Sequence, residues 1–189
     1  MVIGQHEVNF PAVVVDNIGG AAQATQHLID LNHTRIGFIG GPKNSSTVTD
    51  RLKGYKSTLA QNGIAFDGRL IRWGNFTPKS GYQAATTLLK EGDQPTSIFD
   101  TNDQMAFGVI YAVRELGLKV PDDVAVVGFD NIPMSSYFIP PLTTIEIPIN
   151  HLGVASMVML IKLISQIPFS PLKWFKTRLI VRDSSGTGV

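Results

Sequence analysis

Short apolar runs rich in β-branched residues alternate along this chain with longer segments whose apolar residues recur every three or four positions. No other feature of the sequence limits the fold as tightly. Ala12-Val13-Val14-Val15 reads as a strand, and a helix follows from about Gly20 to Leu31, with Ala21, Ala24, Leu28 and Leu31 on one face. Asp16 or Asn17 is placed to cap it. Arg35 to Gly40 has the near-continuous apolar character of a strand covered on both faces. Gly41-Pro42 ends it, and a second helix is predicted from Thr47 to Gln61, stopped at Asn62-Gly63. Leu70 to Trp73 reads as a strand. Thr77-Pro78 supplies a cap and a first-turn proline for a third helix that runs to Glu91 and stops at Gly92, with Tyr82, Ala85, Leu88 and Leu89 buried.

The pattern continues with a strand at Ser97 to Phe99, a helix from Asp103 to Leu116 closed by Gly117, and a central strand from Val124 to Phe129. Extended structure resumes from Leu142 to Ile147, followed by a largely apolar helix from His151 to Ile164 and a last strand from Thr177 to Arg182. Ser184 to Val189 is expected to be a loose tail, and Pro140-Pro141 a crossover between lobes. Alternating β and α elements on short connections predict an α/β fold: a doubly wound, mostly parallel sheet with helices on both faces.

Ligands of such sheets sit beyond the carboxyl ends of the strands. The polar residues expected there are Asp16 and Asn17, then Asn44, Ser45 and Ser46, then Asn75 with Phe76, then Asp100, Asn102 and Asp103, then Asp130 and Asn131. Carboxylates that accept from vicinal hydroxyls, amides that both donate and accept, and the fork of donors on Arg51 suit a sugar or a nucleoside. Phe76 and Trp73 are available to cover an apolar sugar face. For any single Asp or Asn, capping of the next helix is an equal explanation.

Other functions find little support. Sixteen basic against fifteen acidic residues give a net charge of +1, without the basic stripe of a nucleic-acid binder. With no cysteine, neither disulfides nor thiolate metal sites are possible. No phosphate-binding loop, metalloprotease helix or nucleophile elbow occurs, so no catalytic residue, metal ligand or cofactor is expected and the chain is not read as an enzyme. Gly37 to Gly41 ends a strand and is followed by Pro42 and Lys43, not by a helix, so it is no dinucleotide fingerprint. His33 ends a helix, where a cation is favoured. The most apolar stretch, Val154 to Ile167, is too short to span a bilayer and contains Lys162. Gln5, His6 and Glu7 argue against a secretory signal, and a cytoplasmic location is expected.

Six ordered segments together resemble the LacI/GalR family of transcription repressors. Asn102-Asp103-Gln104-Met105-Ala106-Phe107-Gly108 is similar to the family's NDxMAxG signature, and Glu115 to Val124 to the stretch that follows it. Val127-Gly128-Phe129-Asp130-Asn131 resembles VGFDN or VGFDD, and Pro140 to Thr144 resembles PPLTT. Arg51 to Tyr55 resembles RxxGY. Leu31 to Ile36 resembles LGHxxI, with Asn32 where the family has glycine.

The resemblance implies a periplasmic-binding-protein-like core with the ligand between two lobes. Residues 1–18 would be a remnant of the N-terminal lobe and crossover, 19–145 the C-terminal effector-binding lobe, 146–176 a return segment, and 177–189 the final strand and tail. Arg51, Phe76, Asn102 and Asp130 match effector-contacting positions: Arg51 gripping an oxygen, Phe76 stacking, Asn102 and Asp130 reading hydroxyls. Ile147 stands where many members carry a glutamine, so one ligand hydrogen bond is expected to be missing. The implied partners are a small effector (a sugar or sugar phosphate), a second copy of the chain, and operator DNA only through a helix-turn-helix head that the chain does not contain; no membrane is implied. The dimer surface is expected on the helix from Asp103 and the segment Met134 to Phe138. A transport-type sugar-binding protein with the same fold is the alternative.

Overall fold

The computed structural model describes residues 2–3, 10–91 and 94–186. Gln5, His6, Glu7, the stop at Gly92 and the last three residues lie outside the described residues. The elements are β1 (Val2–Ile3), β2 (Ala12–Val15), α1 (Asn17–Asp30), β3 (Ile36–Gly40), α2 (Ser46–Gln61), β4 (Ile71–Trp73), α3 (Pro78–Lys90) and β5 (Ser97–Asp100). Then follow α4 (Asp103–Glu115), β6 (Ala125–Asp130), β7 (Thr143–Glu146), α5 (Ile149–Ile164), β8 (Leu172–Phe175) and β9 (Arg178–Ile180).

They form two sheets. A six-stranded sheet runs β4-β3-β5-β6-β7-β9 and is parallel except for β9, which pairs antiparallel with β7. The smaller sheet is β1-β2-β8, all parallel. Strand period 2 divides the large core. On β5, Ile98 turns to one face and packs with Leu88, Leu89, Val109 and Ile110 of α3 and α4. Its neighbour Phe99 turns to the other and packs with Leu28, Tyr55 and Leu59 of α1 and α2. Two family-motif glycines set the helix spacing. A Cβ on Gly108 would sit 1.9 Å from the Pro78 carbonyl of α3, and one on Gly54 would sit 2.3 Å from the Ile18 carbonyl of α1. In the small sheet, Val13 and Val15 pack against Leu152, Ala155 and Met159 of α5.

Several expectations are corrected. α1 begins at Asn17, three residues early, because Asp16 accepts a hydrogen bond from the Gly19 amide at 2.8 Å. Leu70 belongs to a 3₁₀ turn (Gly68–Leu70) and not to β4. The strand β8 was not foreseen: its side chains are mostly exposed, so no apolar pattern announces it. Pro140-Pro141 is not a crossover, since the chain passes between the sheets at 15–17, 146–149 and 175–178. Tyr82 is only half-buried, its hydroxyl donating to Glu115 at 2.5 Å. The tail is not loose at its start. Ser184 and Ser185 are buried, the Ser184 hydroxyl donating to the Val126 carbonyl (2.6 Å) and accepting from the Thr143 amide (2.8 Å). His33 is not favoured as a cation: burial, then nearby His27, push its pKa down, and Nδ1 lies 2.9 Å from the Thr96 hydroxyl. Asn32, by contrast, explains its departure from the family motif. It sits at φ +66°, the left-handed turn that glycine would otherwise provide and that asparagine tolerates.

Candidate functional site

The large sheet reverses its winding between β3 and β5. From β3 the chain goes outward through α2 to β4, then returns through α3 to β5 on the other side of β3. Strand ends at such a reversal open a crevice. Thr101, just past β5, ties the two ends together: its amide donates to Ile39 O (3.0 Å) and its hydroxyl accepts from the Gly41 amide (2.9 Å).

Arg51 reaches this point from the first turns of α2. It is buried at 5% exposure, and its guanidinium lies 3.6 Å over the centroid of the Phe129 ring. Nε donates to Asn17 Oδ1 at 3.0 Å, Nη1 donates to the Thr101 carbonyl, and Nη2 stands 3.6 Å from Asp130 Oδ1. Burial wins over pairing on both partners. It lowers Arg51 to about 10 despite Asp130 and Asp103, and raises Asp130 to about 7 despite Arg51. Arg51 therefore stays cationic at neutral pH, while Asp130 is poised to exchange a proton there. Asp130 keeps 28% of its side chain exposed, so it is the open edge of the pair.

Asp130 and Asn131 leave β6 with φ of +116° and +52°. Asp130 lies outside the left-handed well, a conformation that costs about 1–3 kcal/mol and persists only where neighbours enforce it. The enforcement is visible. Asp103, the first residue of α4, accepts from the Ile132 amide (2.9 Å), the Ser135 hydroxyl (2.7 Å) and the Thr144 hydroxyl (2.5 Å). Even so, burial raises its pKa.

Phe76 and Asn102 form a second contact beside the first. Phe76 holds φ +68° and lies against the backbone of Gly41. Asn102 caps α4, accepting from the Met105 amide at 3.0 Å, and its Nδ2 donates to the Phe76 carbonyl at 3.2 Å. One amide hydrogen and one lone pair of Asn102 are left over. Thr101 adjoins Asn102 and accepts from Arg51, so it joins the two contacts.

The four residues Arg51, Phe76, Asn102 and Asp130 thus converge on the ends of β5 and β6, while other rim candidates disperse. Asp16 caps α1, as simple capping anticipates, while Asn75 accepts from the hydroxyl of Thr77 at 2.6 Å and Thr77 itself caps α3. Ser45 turns its hydroxyl to Thr47 at 2.8 Å. Trp73 packs edge-on against Phe38 beneath Lys43. The rim as expected is also corrected in one respect: Asp16 and Asn17 follow a strand of the small sheet, and Asn17 nonetheless crosses to meet Arg51. Asp100 is fully buried, and neither carboxyl oxygen has a hydrogen-bond partner among the described residues; burial, then Asp103, push its pKa well above the usual range. Ile147 packs against both cores and offers nothing polar. Sequence reasoning missed Thr101, Thr144, Ser135 and Arg182. Thr101 immediately precedes the signature segment and Thr144 ends the PPLTT-like one, whereas Ser135 and Arg182 carry no local signal.

An apolar groove of about 550 Å³ lies elsewhere, between α5 and β8. Its lining includes Val158, Met159, Phe169 and Phe175 and lacks the converging amides and carboxylates of the crevice. No group of three or more His, Cys, Asp or Glu able to hold a metal occurs among the described residues, nor a helix long and apolar enough to cross a membrane.

Comparison with known proteins sets this geometry in a family. Residues 25–185 match the family model of a periplasmic binding protein-like domain. The chain is 39% identical over 161 residues to the HTH-type transcriptional regulator AscG of Escherichia coli, covering 85% of this chain and 48% of that protein. It spans about half the length of the curated relatives it matches. Among solved structures it is similar to a sugar-binding transcriptional regulator of the LacI family from Escherichia coli complexed with phosphate. There the TM-score is 0.90 at 36% identity, over 97% of this chain and 67% of the other. It is also similar to the regulator CelR in complex with cellobiose, with TM-score 0.91 at 35% identity, over 96% of this chain and 56% of the other.

Proposed function

The chain belongs to the LacI family of transcriptional regulators, and from that premise we propose that it is the effector-sensing and dimer-forming part of a sugar-responsive repressor. The observation that carries this reading is the cluster at the β3/β5 reversal, where the buried Arg51 stands against the part-exposed carboxylate of Asp130 and donates to Thr101, whose neighbour Asn102 holds the Phe76 carbonyl. In this reading Asp130 accepts hydroxyls, Arg51 and Asn102 donate, and the Phe76 ring covers an apolar sugar face. Binding shifts the protein between two states of unequal affinity for DNA. DNA itself is met by a helix-turn-helix head outside these residues, whose own charge of +1 gives no footprint for it. Such work places the protein in the cytoplasm and needs no catalytic group.

The second copy fits the α3/α4 side. Tyr82, Phe107, Tyr111, Met134 and Phe138 line a groove of about 580 Å³ there, with Tyr111 and Met134 more than half exposed. Residues expected from the sequence on α4 and in Met134 to Phe138 thus share one apolar face. The transport-protein alternative has less support, since the matched relatives are named as regulators. Isothermal titration calorimetry of the intact protein against neutral sugars, nucleosides and sugar phosphates, with sedimentation for the dimer, tests the proposal. Binding of a sugar by a dimer supports it. A monomer that binds sugar favours the transport reading, and a panel with no binder sinks the sensor assignment.

A further inference from the structure

The pair Asp130-Asn131 is the sharpest backbone departure in the large sheet, yet only Asp130 reaches the crevice. Asn131 turns the other way, and both ends of its amide are occupied. Nδ2 donates to Glu146 Oε1 at 3.0 Å, and Oδ1 accepts from Arg182 Nη2 at 2.8 Å. Its backbone amide donates to the Thr144 hydroxyl at 3.3 Å. Each of those partners is fixed in turn. Arg182 Nη1 donates to the Leu142 carbonyl at 2.6 Å, and Glu146 Oε2 accepts from Arg178 of β9 at 2.8 Å. One side chain therefore clips the end of β6 to β7 and to the segment after β9.

We propose that Asn131 is the positioning residue for Asp130: its two side-chain hydrogen bonds, to Glu146 and Arg182, hold the strained turn that aims the Asp130 carboxylate at Arg51 and the crevice. The proposal rests on the assignment of Asp130 to the effector site. A left-handed residue following one at φ +116° does not persist unaided, and Asn131 is the only member of the pair whose side chain is tied on both ends. The charged groups that face this turn are Arg51 on α2 and Asp103 on α4, which act on Asp130 itself, Glu146, its strand partner on β7, and Arg182 beyond β9, which holds Asn131. Freed from the clip, the carboxyl, already 28% exposed, turns further toward water, and the burial that raises its pKa is reduced.

The test compares Asn131→Gly, Glu146→Ala and Arg178→Ala in the intact protein. Glycine keeps the positive φ without strain, so the first variant removes only the side-chain bonds. Carbon-13 NMR of the ligand-free protein reads the titration of the Asp130 carboxyl, and calorimetry with ribose and cellobiose reads binding. We expect the Asp130 midpoint to fall by about one pH unit in Asn131→Gly, by less in Glu146→Ala, and not at all in Arg178→Ala. We expect a sugar that binds the native protein to bind Asn131→Gly about tenfold more weakly. An unmoved midpoint in Asn131→Gly overturns the proposal, as does an equal shift in Arg178→Ala, which would reveal general loosening. Should Asn131→Gly not fold, Glu146→Ala decides against Glu146→Gln, which removes the same charge but keeps an acceptor for Asn131: only a larger fall of the midpoint in Glu146→Ala supports the clip, and equal falls overturn it. Failure of both sugars to bind the native protein while the midpoint still moves strikes the choice of sugar and leaves the positioning role supported.

Discussion

The two sheets of this chain use the same kinds of residue to different ends. The six-stranded sheet is sandwiched: α1 and α2 seal one face, α3 and α4 the other, and Phe38, Phe99, Phe129, Ile98 and Val126 have no access to solvent. Among the described residues the three-stranded sheet has one helix against it, α5, which is apolar almost all round and packs on the sheet through Leu152, Ala155 and Met159. Its other side leaves Val154, Met157, Ile161 and Ile164 exposed, and on β8 Leu172 and Trp174. A helix apolar on every side belongs in an interior. The contrast teaches that the buried apolar packing of the described structure resides mainly in the large sheet, and that the small sheet leaves one side of its helix exposed.

The contrast breaks most easily at Phe99. Phe99→Ala should destabilise the protein by about 3–5 kcal/mol, because a fully enclosed ring leaves a cavity that the flanking Phe38 and Phe129 cannot fill. Chemical denaturation checks this. A loss below about 1 kcal/mol would mean that the sandwich is not the stabilising region. Asp103→Ala comes next, at about 2–3 kcal/mol, since three donors lose one acceptor together. It should also release the 131–135 loop, visible as faster amide exchange at Ile132.

Asp130→Ala should leave the melting temperature nearly unchanged and weaken effector binding by about 10- to 100-fold, the size of a lost hydrogen bond to a charged group. Calorimetry on the intact protein decides it, and unchanged affinity would remove Asp130 from the site. That outcome would sharpen the comparison: a residue of the sandwiched lobe would serve binding and not stability.

How far these distinctions were readable beforehand follows from their range along the chain. Alternation, caps and glycine stops are local, so the order of strands and helices and the doubly wound sheet were legible. Arg51, Phe76, Asn102 and Asp130 stood out through the resemblance, as motif positions, and the structure links Arg51 to Asp130 and Asn102 to Phe76, with Thr101 between the two pairs. The partners that shape the crevice did not. Thr101 meets Arg51 across fifty residues, and Arg182 meets Asn131 across fifty-one; nothing in local spacing encodes either. β8 escaped because an exposed strand lacks an apolar period, and the buried serines near the end escaped because short hydroxyl side chains are common in loops and caps.

Asp100 gives a smaller effect with a definite sign. Its folded pKa is raised above the unfolded value near 3.9, by burial first. The stability it allows is therefore fully present below about pH 4 and is lost as pH rises from there toward the folded value. Asp100→Asn, which cannot ionise, should flatten that decline, so that its stability relative to the native protein rises from pH 5 to pH 8. Denaturation midpoints at the two pH values read it, and parallel profiles for variant and native protein would show that Asp100 finds a partner in solution.

The smallest expected effect tests the other half of the comparison. Ile164 is 72% exposed at the end of α5. Removing its side chain takes away little buried area, and alanine is the better helix former. Ile164→Ala should therefore change stability by less than about 0.5 kcal/mol, against several for Phe99→Ala. Both residues are large and apolar, so hydrophobicity alone predicts like costs, whereas burial predicts unlike ones. A loss above about 2 kcal/mol at Ile164 would mean that the exposed side of α5 is covered in solution. The apolar face would then be an interface already formed, and the small sheet would owe its stability to whatever lies against it.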